Sequence, residues 1–169
     1  ARKERERELT LLSKAVESAS SGIVITDCSK DDNPITFVNR GFVEMTGFNA
    51  DETVGRNCRF LQGAQTDRDK VAEIRRSVDR GESCRTTILN YRKDGSEFWN
   101  DLYLTPVAGD DGKITHFVGV QSDVTERLAA ADLARSNERT IRSLLDSTAE
   151  GLFGLDPEGR FTFCNEAAA

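Results

Sequence analysis

The residue best placed for covalent chemistry is Cys58, in the run GRNCRFLQG over residues 55–63. A thiol can add to an electron-poor carbon, and one cysteine close to that carbon is enough. The run predicts a short helical turn with the cysteine between polar groups and with Phe60 and Leu61 at its far end. The alternative interpretation is a small buried hydrophobe, which is the usual role of a free cysteine.

The rest of the sequence supplies little other chemistry. Cys28, Cys84 and Cys164 form no CxxC pair with one another or with Cys58, so their spacing predicts neither a zinc site nor a dense disulfide scaffold. We expect four free thiols in a reducing compartment. Because the sequence has a single histidine, His116, it offers few ligands for a metal site and little basis for a Ser-His-Asp triad. Because a convincing acid-base pair is lacking as well, an enzymatic role is disfavoured.

The elements around Cys58 follow an order that defines a fold class. A helix is predicted over residues 67–79, with Gly81 ending it, and shorter helical pieces precede it. Strands are predicted from β-branched content and flanking turns at residues 23–26, 35–39, 84–92, 97–106 and 114–124. Two strands, several helices and three antiparallel strands predict an α+β domain with a five-stranded sheet.

Helices are also predicted on both sides of this domain. Residues 1–21 begin with charges of both signs and continue with an apolar stripe of Leu9, Leu12, Val16 and Ala19. The stripe fits either a helix packing on its own domain or a coiled-coil contact in a homodimer, and two heptads are too few to decide. Residues 127–145 are rich in Ala, Arg, Glu and Leu and predict a linker helix.

The end of the chain repeats its beginning. Ser18, Gly22 and Asp27 recur 129 positions later as Ser147, Gly151 and Asp156, and Phe37 and Asn39 recur 126 positions later as Phe163 and Asn165. Residues 146–169 therefore predict the start of a second copy of the fold, cut off after two strands. Two strands cannot form an independent core, so we expect a longer protein.

Composition limits the function classes. The 169 residues are 37% hydrophobic, which is enough for one compact core. The net charge of -6 gives no electrostatic reason to expect direct nucleic-acid binding. No stretch approaches the ~20 apolar residues that span a bilayer, and the charged N-terminus has no signal-peptide core behind it. We therefore expect a cytoplasmic protein with no membrane partner.

Several motifs together resemble the LOV (light-oxygen-voltage) family, a flavin-binding branch of the PAS superfamily. Besides the cysteine run, they are NPI at 33–35, NYRKDG at 90–95, FWN at 98–100 and GVQSDVT at 119–125. A generic PAS domain would share the Asp-Gly turn and the Asp-Val-Thr ending but not the NCRFLQ segment. The resemblance covers residues 22–126 and implies the PAS fold, with helices on one face of a five-stranded antiparallel sheet.

The resemblance also implies a cofactor and a reaction. A flavin, FMN ahead of FAD or riboflavin, is expected to bind noncovalently in darkness. After blue-light excitation the thiol of Cys58 is expected to add to the flavin C4a carbon while N5 becomes protonated. This adduct would then break thermally and return the dark state.

Site residues follow from the same resemblance. Arg59 and Arg75 are the implied phosphate contacts, since guanidinium groups bind phosphate bidentately. Amides offer donors and acceptors to the pyrimidine edge, and Gln121 is placed near N5 and O4, where its amide could rotate on protonation of N5. The amides for the edge are Gln62, Asn90 and Asn100, and the other implied pocket residues are Val24, Thr26, Asn33, Asn57, Leu61 and Leu104.

The sequence thus predicts a non-enzymatic sensory module. Its signal would pass through the flanking helices to an output domain downstream in the same chain. The same helices could also form a homodimer contact. Two other functions stay open: a PAS interaction module without a light-active flavin, and a flavin redox sensor that leaves Cys58 unused. Leu61 and Leu104 are equally well explained as core residues, and Gln121 as a satisfied buried amide.

Overall fold

A computed structural model of the chain describes residues 2–168. The chain divides between Thr125 and Glu126 into two compact units, which are described separately. All four cysteines are free thiols, as predicted.

The first unit is built on a five-stranded antiparallel sheet with the strand order β2-β1-β5-β4-β3. This confirms the predicted α+β fold. The strands are β1 (Gly22–Asp27), β2 (Ile35–Val38), β3 (Cys84–Tyr91), β4 (Glu97–Ala108) and β5 (Ile114–Asp123). The order places β5 between β1 and β4, so the last strand lies at the centre of the sheet.

Helices fill the stretch between β2 and β3. They are α2 (Arg40–Thr46), α3 (Ala50–Thr53), a 3₁₀ turn (Cys58–Leu61) and α4 (Arg68–Arg80). Asp67 caps α4 by accepting from the backbone N–H groups of Asp69 and Lys70, and Gly81 ends it in the left-handed region at φ 67°. The helix predicted over residues 67–79 is therefore confirmed to within one residue.

The core of this unit lies between the sheet and these helices. Val24, Ile35 and Val38 on the strands pack with Phe42 of α2 and Leu61 of the 3₁₀ turn, and all five are at most 6% exposed. Helix α2 lies against β1, α3 against β2 and α4 against β3. The position of Leu61 brings the cysteine turn directly onto this core.

Helix α1 (Arg2–Glu17) precedes the sheet and contains no buried residue. Leu9 and Leu12 of the predicted stripe are 66% and 57% exposed, whereas Val16 and Ala19 are partly buried. The end of α1 is held by buried Asn39, whose Nδ2 donates to the carbonyl of Val16 at 2.9 Å. Within residues 2–17, the apolar stripe thus stays largely uncovered by its own unit, and the homodimer remains a prediction.

The second unit contains α5, which begins at the unit boundary (Thr125–Asp146), and a two-stranded antiparallel sheet. Its strands are β6 (Phe153–Leu155) and β7 (Phe161–Cys164). Phe153 and Phe161 meet edge to face with ring centroids 5.6 Å apart, yet they are 58% and 76% exposed. Two strands with exposed aromatic rings fit the predicted start of a larger fold.

The internal repeat appears as a repeated hydrogen-bond pattern. Asn39 accepts from the backbone N–H of Ile23 at 2.7 Å, and Asn165 accepts from Leu152 at 2.7 Å. The Nδ2 group of Asn165 donates to the carbonyl of Leu145 at 2.9 Å, the counterpart of the bond from Asn39 to Val16. In both units, one buried asparagine therefore joins the end of the preceding helix to the first strand.

Candidate functional site

The 3₁₀ turn that carries Cys58 is built by its neighbours. Asn57 caps the turn, because its Oδ1 accepts from the backbone N–H of Arg59 at 2.9 Å. Just before the turn, the N–H of Gly55 donates to the carbonyl of Ile35, and the N–H of Ile35 donates to Arg56, both at 2.8 Å. Gly55 has φ 87°, a conformation that glycine adopts without strain. These bonds fix the turn to strand β2.

Cys58 packs against the core cluster that includes Leu61 and Val24. Burial raises the pKa of the Cys58 thiol to about 12, and the nearby charge of Arg59 offsets only a smaller part of this effect. At neutral pH the group is therefore a protonated thiol with little intrinsic nucleophilicity.

The predicted strand residues all share one face of the sheet. Directly paired residues lie on the same face, as do residues two apart along a strand. Gly119 pairs with both Val24 and Leu104, while Gln121 pairs with Leu102, and Asn100 pairs with Ile88. By this register the face includes Val24, Thr26, Asn90, Asn100, Leu104 and Gln121, and Val24 places it toward Cys58 and the helices.

Three amides form a buried cluster on this face. Asn100 Nδ2 donates to Asn90 Oδ1 and to Gln121 Oε1, both at 2.9 Å. The three residues are only 2–4% exposed. The Oδ1 atom of Asn100 is buried and has no partner among the described residues. Because an unsatisfied buried acceptor costs about 1–3 kcal/mol, this oxygen favours a ligand that brings an N–H donor.

Gly119 leaves a flat area beside the amides. It is buried on the same face, and a Cβ there would lie 3.2 Å from Leu104 Cδ2. A glycine inside a strand is typical of a place where a ligand or another backbone approaches closely. A planar ring with mixed donors and acceptors, such as a flavin, fits an area bordered by amides on one side and aliphatic groups on the other.

Thr86, which was not among the predicted site residues, also belongs to this face. Thr86 pairs with Leu102, is 5% exposed, and its Oγ1 atom has no partner among the described residues. Counting back in steps of two from Asn90 along β3 would have found it. The face therefore carries a second unsatisfied polar atom.

The predicted phosphate residues lie at the exposed side of the turn. Arg59 makes a bidentate pair with Asp32, with its Nη1 and Nη2 atoms 2.7 and 2.6 Å from the two carboxylate oxygens. Arg75 is exposed on α4, and its charge adds to that of Arg59 in lowering the pKa of Asp32. Asn33 follows Asp32, and both have positive φ. Asn33 was among the predicted site residues, and Asp32 was not.

The remaining predicted residues occupy the two ends of the cysteine turn. Asn57 Nδ2 donates to the carbonyl of Asp32 at 2.6 Å, and Gln62 follows the turn as its partly buried C-cap. Leu61 is 3% exposed and belongs to the core, while Thr26 and Leu104 are partly buried. Their contacts with a cofactor stay predictions.

Known proteins are similar to this chain in sequence and fold. Residues 20–126 and 139–169 each match a family described as PAS domain. The bacterioopsin transcriptional activator of Halobacterium salinarum is 39% identical over 83% of this chain and 21% of its own length. The blue-light-activated histidine kinase of Rhizobium johnstonii is 46% identical over 75% of this chain and 37% of its own length. The light-state structure of the blue-light photoreceptor Aureochrome1 LOV superimposes with a TM-score of 0.63 at 43% identity, over 73% and 97% of the two chains.

The sheet topology and these matches define the class: the chain belongs to the PAS domain family. Within that superfamily it contains a LOV domain, a class that binds flavin and senses blue light. The chain spans only 21% and 37% of the two relatives' lengths. Across residues 2–168, the structure has no helix of the length and apolar character needed to cross a membrane.

Proposed function

We propose that this chain is the blue-light input module of a longer signalling protein, with FMN as its cofactor and Cys58 as its photoactive residue. The observation that carries the proposal is a partly buried thiol packed on the core, together with a buried amide cluster on the sheet face that points toward it. The free Oδ1 atom of Asn100 within that cluster supports a ligand with an N–H donor.

Different side chains would bind different parts of FMN. Asn90, Asn100 and Gln62 would bind the pyrimidine edge, since amides match its donors and acceptors. Arg59 and Arg75 would bind the phosphate, which is why FMN is proposed ahead of riboflavin. The list of further contacts is Val24, Thr26, Asn33, Asn57, Leu61 and Leu104. When bound, the flavin supplies the absorption of blue light and an electron-poor C4a–N5 bond across which S–H can add.

Cys58 would supply both the sulfur and the proton of the addition. Its sulfur would bond to the flavin carbon and its proton would move to the flavin nitrogen, so the addition needs no external oxidant or reductant. The burial that raises its pKa keeps the proton on sulfur in darkness. Thermal cleavage of the sulfur–carbon bond, with return of the proton to sulfur, would restore the dark state. Because the residue stays a thiol until light arrives, background alkylation and oxidation are suppressed.

Gln121 connects this chemistry to the end of the sheet. It lies on β5, two residues before Asp123, whose Oδ1 accepts from the backbone N–H of Thr125 at 3.0 Å. Thr125 begins α5 and its Oγ1 accepts from the N–H of Trp99 at 2.9 Å. A rotation of the Gln121 amide would change its hydrogen bond with Asn100. That change would alter the contacts of strand β5, which leads into α5.

An absorption spectrum recorded before and after a blue pulse tests the proposal. The expected result is a yellow protein that bleaches under blue light and recovers in darkness. A colourless protein that takes up no added FMN would instead indicate an interaction module. A yellow protein that does not bleach would indicate a redox sensor. The output domain, the homodimer, the cytoplasmic location and the absence of enzymatic activity in this segment belong to the same proposal.

A further inference from the structure

Asp32 occupies a position that the proposed flavin chemistry does not require. Its carboxylate accepts two hydrogen bonds from Arg59, at 2.6 and 2.7 Å, and so engages one of the two proposed phosphate ligands. Both side chains are more than half exposed. A bidentate pair of this kind fixes the plane of the guanidinium group and uses two of its five N–H donors.

The backbone holds Asp32 in this place. Its carbonyl accepts from Asn57 Nδ2 at 2.6 Å, and Asn57 in turn caps the turn that begins at Cys58. Asp32 and Asn33 have φ values of 67° and 47°, a region that Asp and Asn tolerate better than other non-glycine residues. The carboxylate is therefore attached to the same turn as Arg59.

The charges around this carboxylate matter for an anion. Hydrogen bonds from Arg59 lower the pKa of Asp32, and the charges of Arg59 and Arg75 lower it further, so the group stays ionised at neutral pH. Two guanidinium groups and one carboxylate leave one net positive charge. A phosphate monoester carries about -1.5 to -2 charges at pH 7. Asp32 thus competes with a phosphate for the same cations.

We infer that Asp32 is a specificity-determining residue that limits the preference of this site for phosphorylated over unphosphorylated flavins. The inference rests on the proposed function, because it takes Arg59 and Arg75 as phosphate ligands. Removing the carboxylate frees two donors of Arg59 and removes one repulsive charge. FMN should then bind more tightly, whereas riboflavin, which has no phosphate, should bind as before.

The test compares two ligands on two proteins. Flavin-stripped wild type and Asp32→Asn are titrated with FMN and with riboflavin, and flavin fluorescence gives each Kd. The expected change is a roughly fivefold tighter Kd for FMN, the factor for two unit charges about 4 Å apart in water, with riboflavin unchanged. The gain should shrink as salt is raised, because the pair is exposed. Asparagine keeps the shape of Asp32 and tolerates its positive φ.

Two further variants make the result specific. Asp31→Asn removes the same charge from the exposed neighbouring residue and should change the FMN to riboflavin ratio by less than half as much. In an Arg59→Ala background, Asp32→Asn should lose most of its effect, since the carboxylate acts through that guanidinium.

Each other outcome overturns the inference. Weaker FMN binding by Asp32→Asn would mean that the carboxylate positions Arg59 for the phosphate. An unchanged ratio would mean that Asp32 has no part in selection. In both cases the wild type still binds flavin, and the proposed function stands. A wild type that binds neither flavin would reject the proposed function together with the inference.

Discussion

At the scale of single residues, Cys58 combines reactivity with protection. A cysteine that attacks in its ground state needs a lowered pKa, as in sites beside cations or helix N-termini. Cys58 has the opposite arrangement, because burial raises its pKa to about 12 despite the adjacent Arg59. The protein therefore keeps a proton on the sulfur, and this proton would be available for the proposed addition to carbon. Position and a retained proton, more than intrinsic nucleophilicity, suit it to a reaction triggered by light.

The first prediction concerns the thiol itself. Cys58→Ala should leave a folded yellow protein that shows no reversible bleaching, because flavin binding uses many contacts while the bond to carbon needs one sulfur. The visible absorption band of the bound flavin, recorded before and after a blue pulse, gives the result. Cys84→Ala is the matched control, since Cys84 is a buried free thiol whose pKa is likewise raised by burial. Bleaching by Cys58→Ala, or its loss in Cys84→Ala, would contradict the assignment.

The raised pKa also makes a prediction about stability. The folded state keeps the Cys58 proton up to a pKa of about 12, whereas the unfolded chain loses it near the ordinary value of 9.0. Above pH 9 the unfolded state therefore binds fewer protons, and the free energy of unfolding should fall by at most about 1.4 kcal/mol per pH unit. Below pH 9 this contribution is fully present and constant.

Urea unfolding of wild type and Cys58→Ala between pH 7 and 10.5 isolates this effect. The alanine variant leaves a small cavity, whose cost does not depend on pH, so only the difference in slope matters. The gap between the two proteins should change above pH 9 in favour of the variant. Parallel pH profiles would show that the thiol titrates normally in the folded state.

At the scale of elements, the sequence was most informative where periodicity sets the structure. All five strands and helix α4 follow from β-branched runs, Asp-Gly turns and capping residues, which act locally. Asn90, Asn100 and Gln121 were predicted through the family resemblance, and the period of two along each strand explains why all three share one face. The same alternation places Thr86 on this face, although it was not among the predicted residues.

The elements that could not be predicted depend on contacts distant in sequence. The position of β5 between β1 and β4 is set by packing and not by any local pattern. The ion pair of Asp32 with Arg59 joins a loop to a turn 27 residues later in the chain. It also depends on the positive φ of Asp32, which local sequence propensity does not predict. The orphaned Oδ1 of Asn100 is likewise a result of three strands meeting.

One prediction belongs to strand β5. Gln121→Leu should still bleach, because the thiol is untouched, but leucine cannot exchange a donor for an acceptor. The bond from Asn100 to Gln121 is lost as well. The light-induced change in hydrogen exchange over residues 125–145 should therefore fall by at least half, and the flavin absorption should shift slightly.

The control for this variant is Ser122→Ala, next along β5 but on the opposite face. Ser122 bonds to Ser21 at 3.2 Å, so the substitution disturbs the same strand without touching the amide cluster. It should keep the full light-minus-dark difference. A full difference in Gln121→Leu would reject the amide switch and move the signal path to another element, with α1 around Leu12 and Val16 as the next place to look.

At the scale of the whole molecule, each unit repeats one way of joining a helix to a sheet. Asn39 joins the end of α1 to β1, and Asn165 joins the end of α5 to β6. Helix α5 starts with Thr125, whose Oγ1 accepts from the N–H of Trp99, and ends at Asp146, one residue after Leu145, whose carbonyl accepts from Asn165.

The last prediction tests the receiving end of this helix. Asn165 is 2% exposed, accepts from the N–H of Leu152, and donates to Leu145, Thr148 and Glu150 at 2.9–3.0 Å. Asn165→Ala leaves these groups without their partner, so exchange over residues 145–152 should rise in darkness, consistent with a loss of about 1–3 kcal/mol of local stability. Bleaching and recovery should match wild type, because these contacts all lie in the second unit. Under light, the exchange change should persist over residues 125–135 and disappear over residues 147–165.

The equivalent variant Asn39→Ala provides the comparison for that experiment. It removes the same type of bonds from the end of α1 and from Ile23, so it should destabilise the first unit and leave exchange over residues 147–165 as in wild type in darkness. If Asn165→Ala retained a full light-induced change over residues 147–165, the asparagine would only stabilise its own unit. Transmission would then have to reach the second unit without the bond between Asn165 and the end of α5, and the repeated asparagine would be a folding device alone.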